Sequence, residues 1–381
     1  MLLMNNRRIV FSTLLSLIVV LLSSCGGRTA RQQEGGDTLS MKYASLLTIV
    51  RHEGYTEVSV RNPWKEGMML HTYLLVPRGA ELPTNMPHGS IVRIPVERAA
   101  VFTTVHCSLL NTLGHTDKIV AVADLKYIKV PAVHQRVKQH RIADCGGGLN
   151  PVVEKIMDVK PEVIMLSPFE NAGGYGKLED IDIPLIECAE YMENSPLARA
   201  EWMKFYGMLF GVEQRTDSLF AVVDSNYQAL RQQAKACGVG RSLLIDKMVG
   251  SVWYVPGGRS TIGRMAQDAG ARYPWAGDEH SGSLSLPFET VLEQAGEADV
   301  WMYRYSSDHQ TNYQELLSGH HGYDQLKAYK THQVYACNVE QSQFYEETPF
   351  RPDLLLGDFI QILHPEATNL PPLRYYKKLD D

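Results

Sequence analysis

The chain has 381 residues, 44% of them hydrophobic and 21% charged, with a formal net charge of −6. That length admits one large core or two domains, and the composition excludes a disordered or fibrous chain. With 37 basic against 43 acidic residues and no basic stripe, it offers no footing for a nucleic-acid partner.

The first 24 residues read as a leader. MLLMNNRR supplies two arginines, Ile9 to Leu22 is almost wholly apolar but too short to span a bilayer stably, and Leu22-Ser23-Ser24-Cys25 follows. This run resembles a bacterial lipoprotein signal, which implies cleavage before Cys25 and acylation, by palmitate or a similar chain, of its thiol and new amine. A simple secretory peptide or a membrane anchor is the alternative. Removal of Arg7 and Arg8 leaves 35 of the 37 basic residues against 43 acidic ones, a net charge of −8. Residues 25–40, polar and glycine-rich, are expected to be a flexible tether to a membrane surface. No later stretch is long and apolar enough to cross a bilayer. Cys107, Cys145, Cys188, Cys237 and Cys337 remain, an odd number without a C-x-x-C, so buried thiols are the default and the disulfide state stays open.

Residues 41–98 form a β-rich extension. Tyr55–Val60 and Leu70–Val76 alternate apolar and polar residues around NPWKEGM, the pattern of a hairpin or meander, and a proline-bearing loop leads to IVRIPV. From residue 99 strands alternate with helices. AAVFTTV is a strand, HCSLLNTLG a helix ending on Gly114, KIVAVA a strand, NPVVEKIMDV a helix, and EVIML and IPLIEC further strands. That alternation predicts an α/β lobe with a parallel sheet over 99–195. Pro196 to Ala236 carries helical periodicity through Trp202, Phe205, Leu209, Leu219, Val223 and Leu230, so 196–237 reads as one long helix linking two lobes, with Gly207 and Gly211 as possible bends. Alternation resumes over 238–366 with SLLID, SVWYVP, TIGRMAQDAG, FETVLEQAG, ADVWMYRY, QVYACN and DLLLGDFIQIL, a second α/β lobe; 367–381 is a tail.

Two of these pieces match. In NPVVEKIMDVKPEVIML, Val153, Ile156 and Met157 share an apolar face from which Glu154 points away. LPFETVLEQAGEADVWMY repeats the arrangement, with Glu289 ahead of Val291-Leu292. One copy lies on each side of the long helix.

At NPVVEKIMDVKPEVI, LPFETVLEQAGEADVW, PLARAEWMKFYGMLFG and RPDLLLGDFIQILHP the sequence resembles the helical-backbone (class III) substrate-binding proteins of bacterial ABC importers, the binders of iron–siderophore, haem and vitamin B12. The resemblance runs from Ala99 to Pro365. It implies an α/β fold of two lobes, each with a central parallel sheet, joined by a long backbone helix, here with an added N-terminal β-rich extension. It also implies that Glu154 and Glu289 dock onto arginines of a permease dimer served by ATPase subunits. The plain alternative is that each carboxylate only gains from its helix dipole.

A cleft between such lobes is lined by loops at the carboxyl ends of strands. The candidates are Thr103, Thr104, His106, Tyr127 and Tyr175 from the first lobe. Trp253, Tyr254, Arg259, Trp275, Tyr303 and Arg304 come from the second, with Phe344 and Tyr345 in a loop after VYACN. Flat aromatic surfaces with a few cations suit a planar or macrocyclic ligand, with arginine forks on its negative groups. Arg259 and Trp275 stand out because each lies in a glycine-containing loop. No protein metal site is expected: His134 and His140 fall on different helix faces, and His320-His321 lacks a Cys or Glu at zinc-like spacing. His106 is the histidine best placed to reach haem iron, though a surface or capping role is the commoner fate. There is no G-x-S-x-G or H-E-x-x-H, and CGGGLN lacks the P-loop G-K-[ST], so no enzyme and no resident cofactor are expected.

The reading is a monomeric, lipid-anchored periplasmic binding protein that hands an iron complex, ferric siderophore or haem, to an ABC transporter. Cobalamin is the alternative cargo, and a surface lipoprotein using the fold without transport is the alternative from another class.

Overall fold

The computed structural model describes residues 36–170 and 174–380. Cys25, the leader and most of the tether lie outside them. An N-terminal five-stranded sheet has its strands in chain order: β1 (Asp37–Leu39), β2 (Leu47–His52), β3 (Tyr55–Arg61), β4 (Met69–Pro77) and β5 (Ser90–Ile94). β2–β4 form an antiparallel meander and β5 adds in parallel to β4. Alternating residues of β2 and β3 (Leu47, Ile49, Val58, Val60) are buried, as a one-sided sheet requires. Two buried carboxylates fix the chain entering it. Glu201 accepts the backbone N–H groups of Lys42, Tyr43 and Ala44 at 2.9, 2.7 and 2.9 Å. Glu193 accepts those of Ser45 and Leu46 at 3.0 and 2.9 Å. Charge-assisted bonds of this kind tie the extension firmly to the body.

The first α/β lobe contains β6 (Ala99–Val101), α1 (Thr104–Thr112), β7 (Ile119–Val122), α2 (Pro131–Lys138) and β8 (Ala143–Asp144). A small hairpin, β9 (Gly146–Gly147) and β10 (Asn150–Pro151), precedes α3 (Val153–Val159), β11 (Val163–Leu166) and β12 (Leu185–Glu187). β12-β11-β6-β7-β8 form an all-parallel sheet. AAV, IVAV and VIML are buried throughout, which is why they appear as unbroken apolar runs rather than alternating ones. AAVFTTV is only a strand to Val101. Thr103 turns the chain into α1 and caps it, its hydroxyl accepting the His106 N–H at 3.3 Å. On α3 only Ile156 is buried, and Met157, expected on the apolar face, is 55% exposed.

The expectation of one continuous helix over 196–237 is corrected to three: α4 (Pro196–Glu201), α5 (Met203–Phe210) and α6 (Glu213–Cys237). Trp202 stays right-handed between the first two, but Gly211 closes α5 at φ +69°, a left-handed conformation that glycine adopts without strain. α5 and α6 then pack so closely that a Cβ on Gly207 would meet Thr216 Oγ1 at 2.1 Å. α6, 25 residues and about 37 Å long at 1.5 Å per residue, is the helix joining the lobes. It buries Thr216, Phe220, Val223, Tyr227 and Ala234 on one stripe. Near its start Arg215 donates to the carbonyls of Leu113 and Thr112 at the end of α1, at 2.9 and 2.8 Å. A little over three turns on, the Tyr227 hydroxyl donates to Asp268 of the second lobe at 2.9 Å.

That lobe runs β13 (Leu243–Ile245), β14 (Met248–Val249), β15 (Val252–Pro256), α7 (Thr261–Asp268), β16 (Ser283–Leu286), α8 (Phe288–Ala295) and β17 (Val300–Tyr305). It continues with α9 (Tyr313–Gly319), α10 (Lys327–Lys330), β18 (Val334–Asn338), α11 (Phe344–Glu347), α12 (Pro352–Leu363) and β19 (Lys377–Lys378). β13, β17 and β18 are parallel; β19 closes the edge antiparallel, and β14-β15-β16 form a separate antiparallel sheet. The described part of the expected tail, 367–380, is therefore built in: Tyr375 and Tyr376 are buried and their N–H groups donate to the Asp358 carboxylate at 2.8 and 3.0 Å. Four of the five cysteines are buried, Cys237 is half-buried, and all five are free.

Candidate functional site

A cavity of about 840 Å³ opens at the carboxyl ends of β6, β7 and β11. The parallel sheet dictates the place, because loops leaving those strand ends diverge and leave a crevice. Phe102 and Thr103 follow β6, Asp124 follows β7, and Leu166 with Ser167 ends β11. The glycine hairpin β9–β10 forms one wall. Asp124, itself left-handed at φ +50°, accepts the Gly148 N–H at 2.8 Å. A Cβ at Gly148 would stand 2.7 Å from that carboxylate, so glycine is what lets the hairpin fold down. Its neighbour Leu149 is left 78% exposed at the cavity mouth, and Phe169, on the loop after β11, is 48% exposed. Tyr175, Gly176 and Lys177 complete the rim. The Tyr175 hydroxyl donates to Glu187 at 2.6 Å; burial and that carboxylate both push its pKa up, so it stays a neutral phenol. A smaller adjoining cavity of about 270 Å³ brings Trp64, from the β3–β4 loop of the N-terminal sheet, beside Phe169 and Tyr175. The composite site is largely apolar and aromatic, and its described lining also carries three carboxylates (Asp124, Glu170 and Glu187) and two ammonium groups (Lys65 and Lys177).

A third cavity, about 160 Å³, lies between the lobes, lined by Val105 and Arg199 on one side and Thr261, Arg304, Phe344 and Tyr345 on the other. The seam beside it is already bonded: the Thr104 hydroxyl donates to Glu346 at 2.8 Å, and Lys129 pairs with Glu340. Phe344 and Tyr345 belong to α11, not to a loop.

The expected ligand residues separate sharply. Tyr175 and Thr103 line the large cavity. Tyr127 is 59% exposed just after β7, its ring carrying the Lys126 ammonium at 4.6 Å from the centroid. Thr104 is engaged in the seam. His106 is corrected to a wholly buried side chain, edge-on to Tyr206 and Phe350. Trp253 is likewise core: it is wholly buried, its indole N–H donates to the Ile245 carbonyl at 2.9 Å, and its ring packs on Trp301 and Tyr323. Tyr303 and Trp275 are buried too, against Trp301 and Tyr273. Tyr254, next to Trp253, is 43% exposed.

The arginine forks are occupied. Arg304 makes a two-pronged pair with Asp246, at 3.0 and 2.6 Å. Burial works against its charge, yet Asp246 holds its pKa above the ordinary arginine range. Arg259 is half-exposed and donates to Glu279 at 2.8 Å. Neither presents a free fork to an anion.

Glu154 and Glu289 are both exposed, and each is the second residue of a helix, α3 and α8, that leads into a parallel strand, β11 and β17. Among the described residues neither has an ion-pair partner. Val152 and Met157 are exposed alongside Glu154.

Sequence reasoning missed Phe102, Asp124, Leu149, Phe169, Lys177 and Trp64. CGGGLN contained the one usable signal, a run of glycines at a strand's carboxyl end.

A family model described as "periplasmic binding protein" matches residues 100–340. An uncharacterized lipoprotein of Methanocaldococcus jannaschii is 24% identical over 287 residues, covering 73% of this chain and 67% of its own. A second from that organism is 24% identical over 362 residues, covering 89% and 86%. Similar solved structures include a periplasmic haem-binding protein from Pseudomonas aeruginosa, with a TM-score of 0.58 at 15% identity over 75% of this chain and 99% of that one. Another is a periplasmic vitamin B12-binding protein of Vibrio cholerae, with a TM-score of 0.53 at 16% identity over 72% and 99%. At such identities these likenesses bear on the fold. The family match spans more than half of the chain, and together with two parallel-sheet lobes on one long helix it makes this protein a member of the periplasmic binding protein family.

Proposed function

We propose that this protein, lipidated at Cys25 and held at a membrane facing the periplasm, captures a metal chelate in the first-lobe cavity and delivers it to an ABC permease. An iron complex, ferric siderophore or haem, is the first reading of the cargo. The observation carrying it is the aromatic and apolar cavity of about 840 Å³. That volume falls in the range of about 300–1,000 Å³ usual for small-molecule sites. Phe169, Tyr175 and Trp64 supply flat surfaces for a planar or macrocyclic ligand, and Leu149 adds apolar area.

Cobalamin is the second reading, and one observation favours it: Arg304 and Arg259 are paired with Asp246 and Glu279 and do not line the first-lobe cavity, whose described lining offers an anionic chelate lysine ammonium groups but no arginine fork. Titration of the cargo-free chain with haem, a ferric hydroxamate and cobalamin, followed by absorbance and tryptophan quenching, decides between them. No binding by any of the three at about 10 µM, where real cargo would saturate a family site, would defeat the chelate reading.

Docking is assigned to Glu154 and Glu289. Their equivalent placement on α3 and α8 supports this, since two charged contacts on separate lobes set register and orientation. Glu154→Lys with Glu289→Lys is expected to abolish uptake in cells while leaving cargo affinity within about twofold, because rim charges act on encounter rather than on the distant site. Uptake at the wild-type rate in the double variant would remove the assignment.

A further inference from the structure

Beneath the lobe seam lies a group of side chains that cargo binding does not use. His106 on α1 meets Cys188 and Glu190, which follow β12. One ligand-type atom from each lies within 4.8 Å of the others, and all three side chains are buried. Among the described residues no other set of histidine, cysteine and carboxylate is so placed. His106 Nε2 stands 3.6 Å from Glu190 Oε2, too far for a hydrogen bond, and is a buried nitrogen with no hydrogen-bond partner.

We propose that His106, Cys188 and Glu190 bind a divalent cation of the zinc class. The donors are imidazole nitrogen, thiol sulfur and carboxylate oxygen, the set zinc accepts and that magnesium or calcium does not. The imidazole is oriented as a ligand would be. Its Nδ1 lies against the Thr103 hydroxyl, the same hydroxyl that caps α1, so the opposite nitrogen is aimed at the cluster. Such an outer bond fixes the tautomer of metal-ligating histidines. Glu190 is held in turn by the Tyr206 hydroxyl, which donates to it at 3.0 Å. Charge also closes: thiolate and carboxylate together neutralise a divalent ion, and the Cys188 S–H bond to the Ile186 carbonyl (3.4 Å) is exchanged for a metal–sulfur bond as the thiol proton leaves to solvent. The Arg199 guanidinium, 3.8 Å from Glu190 Oε1, opposes a cation and limits the affinity.

The ion would be structural. It would join α1 to the turn after β12 directly under Phe350, the second-lobe ring that packs on both His106 and Tyr206. Locking this corner stiffens the seam; it shares Thr103 with the cargo cavity, but His106, Cys188 and Glu190 do not line that cavity, so the proposal does not depend on which chelate is carried.

The test uses the mature chain, refolded with zinc(II) alone, stripped of loose metal by EDTA and desalting, and assayed by mass spectrometry for metal. About one zinc per chain is expected, falling to background in His106→Gln and in Cys188→Ser, with a thermal midpoint that rises with zinc only in the wild type. Should a variant fail to fold, cobalt(II) loading of the wild-type chain is the second readout: a thiolate-to-cobalt charge-transfer band is expected. Zinc at background in the wild type, retention undiminished in folded variants, or cobalt without that band would each overturn the proposal.

Discussion

The two lobes share a plan and use their aromatic residues in opposite ways. In the second lobe Trp253, Trp301, Tyr303 and Tyr323 are buried against one another around the β15 and β17 strands, and Phe288 of α8 joins them. In the first lobe the parallel strands are filled by Ala, Val, Ile, Met and Leu, and the rings stand in loops beyond the strand ends, at Phe169 and Tyr175, with Trp64 added by the extension. A sheet core made of small aliphatics needs no rings from its loops, so those rings are free to line a cavity. An aromatic core gathers its loops inward. The contrast is what supports our proposal that cargo is recognised in the first lobe.

The largest effect expected from this contrast is on folding. Trp253→Ala removes a wholly buried ring and orphans the Ile245 carbonyl. It should cost about 3–5 kcal/mol of stability in denaturant unfolding, the usual range for a core Trp or Phe truncation. A loss below about 1 kcal/mol, combined with weakened cargo binding, would mean that Trp253 faces ligand and that the contrast is wrong. Phe169→Ala is the reciprocal experiment. The ring is 48% exposed, so stability should change by less than about 0.5 kcal/mol. Cargo affinity should fall about tenfold or more, because an aromatic anchor in a binding site carries about 1–2 kcal/mol or above. Unchanged affinity would move the site away from this cavity and toward the seam.

How much of this was legible depends on what sets each feature. Buried parallel strands are unbroken apolar runs, so VIML, IVAV and VWMY could be read directly. The amphipathic stripe of α6 was equally plain, whereas Gly211 was not, because glycine inside a helical pattern does not say whether it bends or ends the helix. For the site, Trp253 and Tyr254 are instructive. They are neighbours on β15, and the period-two alternation buries one and leaves the other 43% exposed. Which one faces inward depends on the partner sheet, and that is tertiary information. Asp124 and Gly148 lie far apart in sequence, and only their hydrogen bond sets the hairpin that exposes Leu149. Separation in sequence likewise hid Cys188 and Glu190 from His106, since zinc-like spacing describes ligands on one local motif and not a helix residue meeting a distant turn.

The smallest expected effect tests the electrostatic half of the comparison. Arg259 was attractive as a loop arginine beside glycines, but its guanidinium is half-exposed and already pairs with an exposed glutamate, Glu279. A pair of that kind contributes about 0–1 kcal/mol, because water screens both partners and two long side chains lose freedom in meeting. Arg259→Ala should therefore shift stability by less than about 0.5 kcal/mol and change affinity for any chelate less than about twofold. Glu279→Ala gives the sharper comparison, since it removes the competitor and leaves the arginine. If Arg259 were a cargo residue, freeing it would strengthen binding of an anionic chelate, and that gain would shrink with salt. An affinity that stays flat in both variants across salt concentrations keeps recognition on the apolar and aromatic wall of the first lobe.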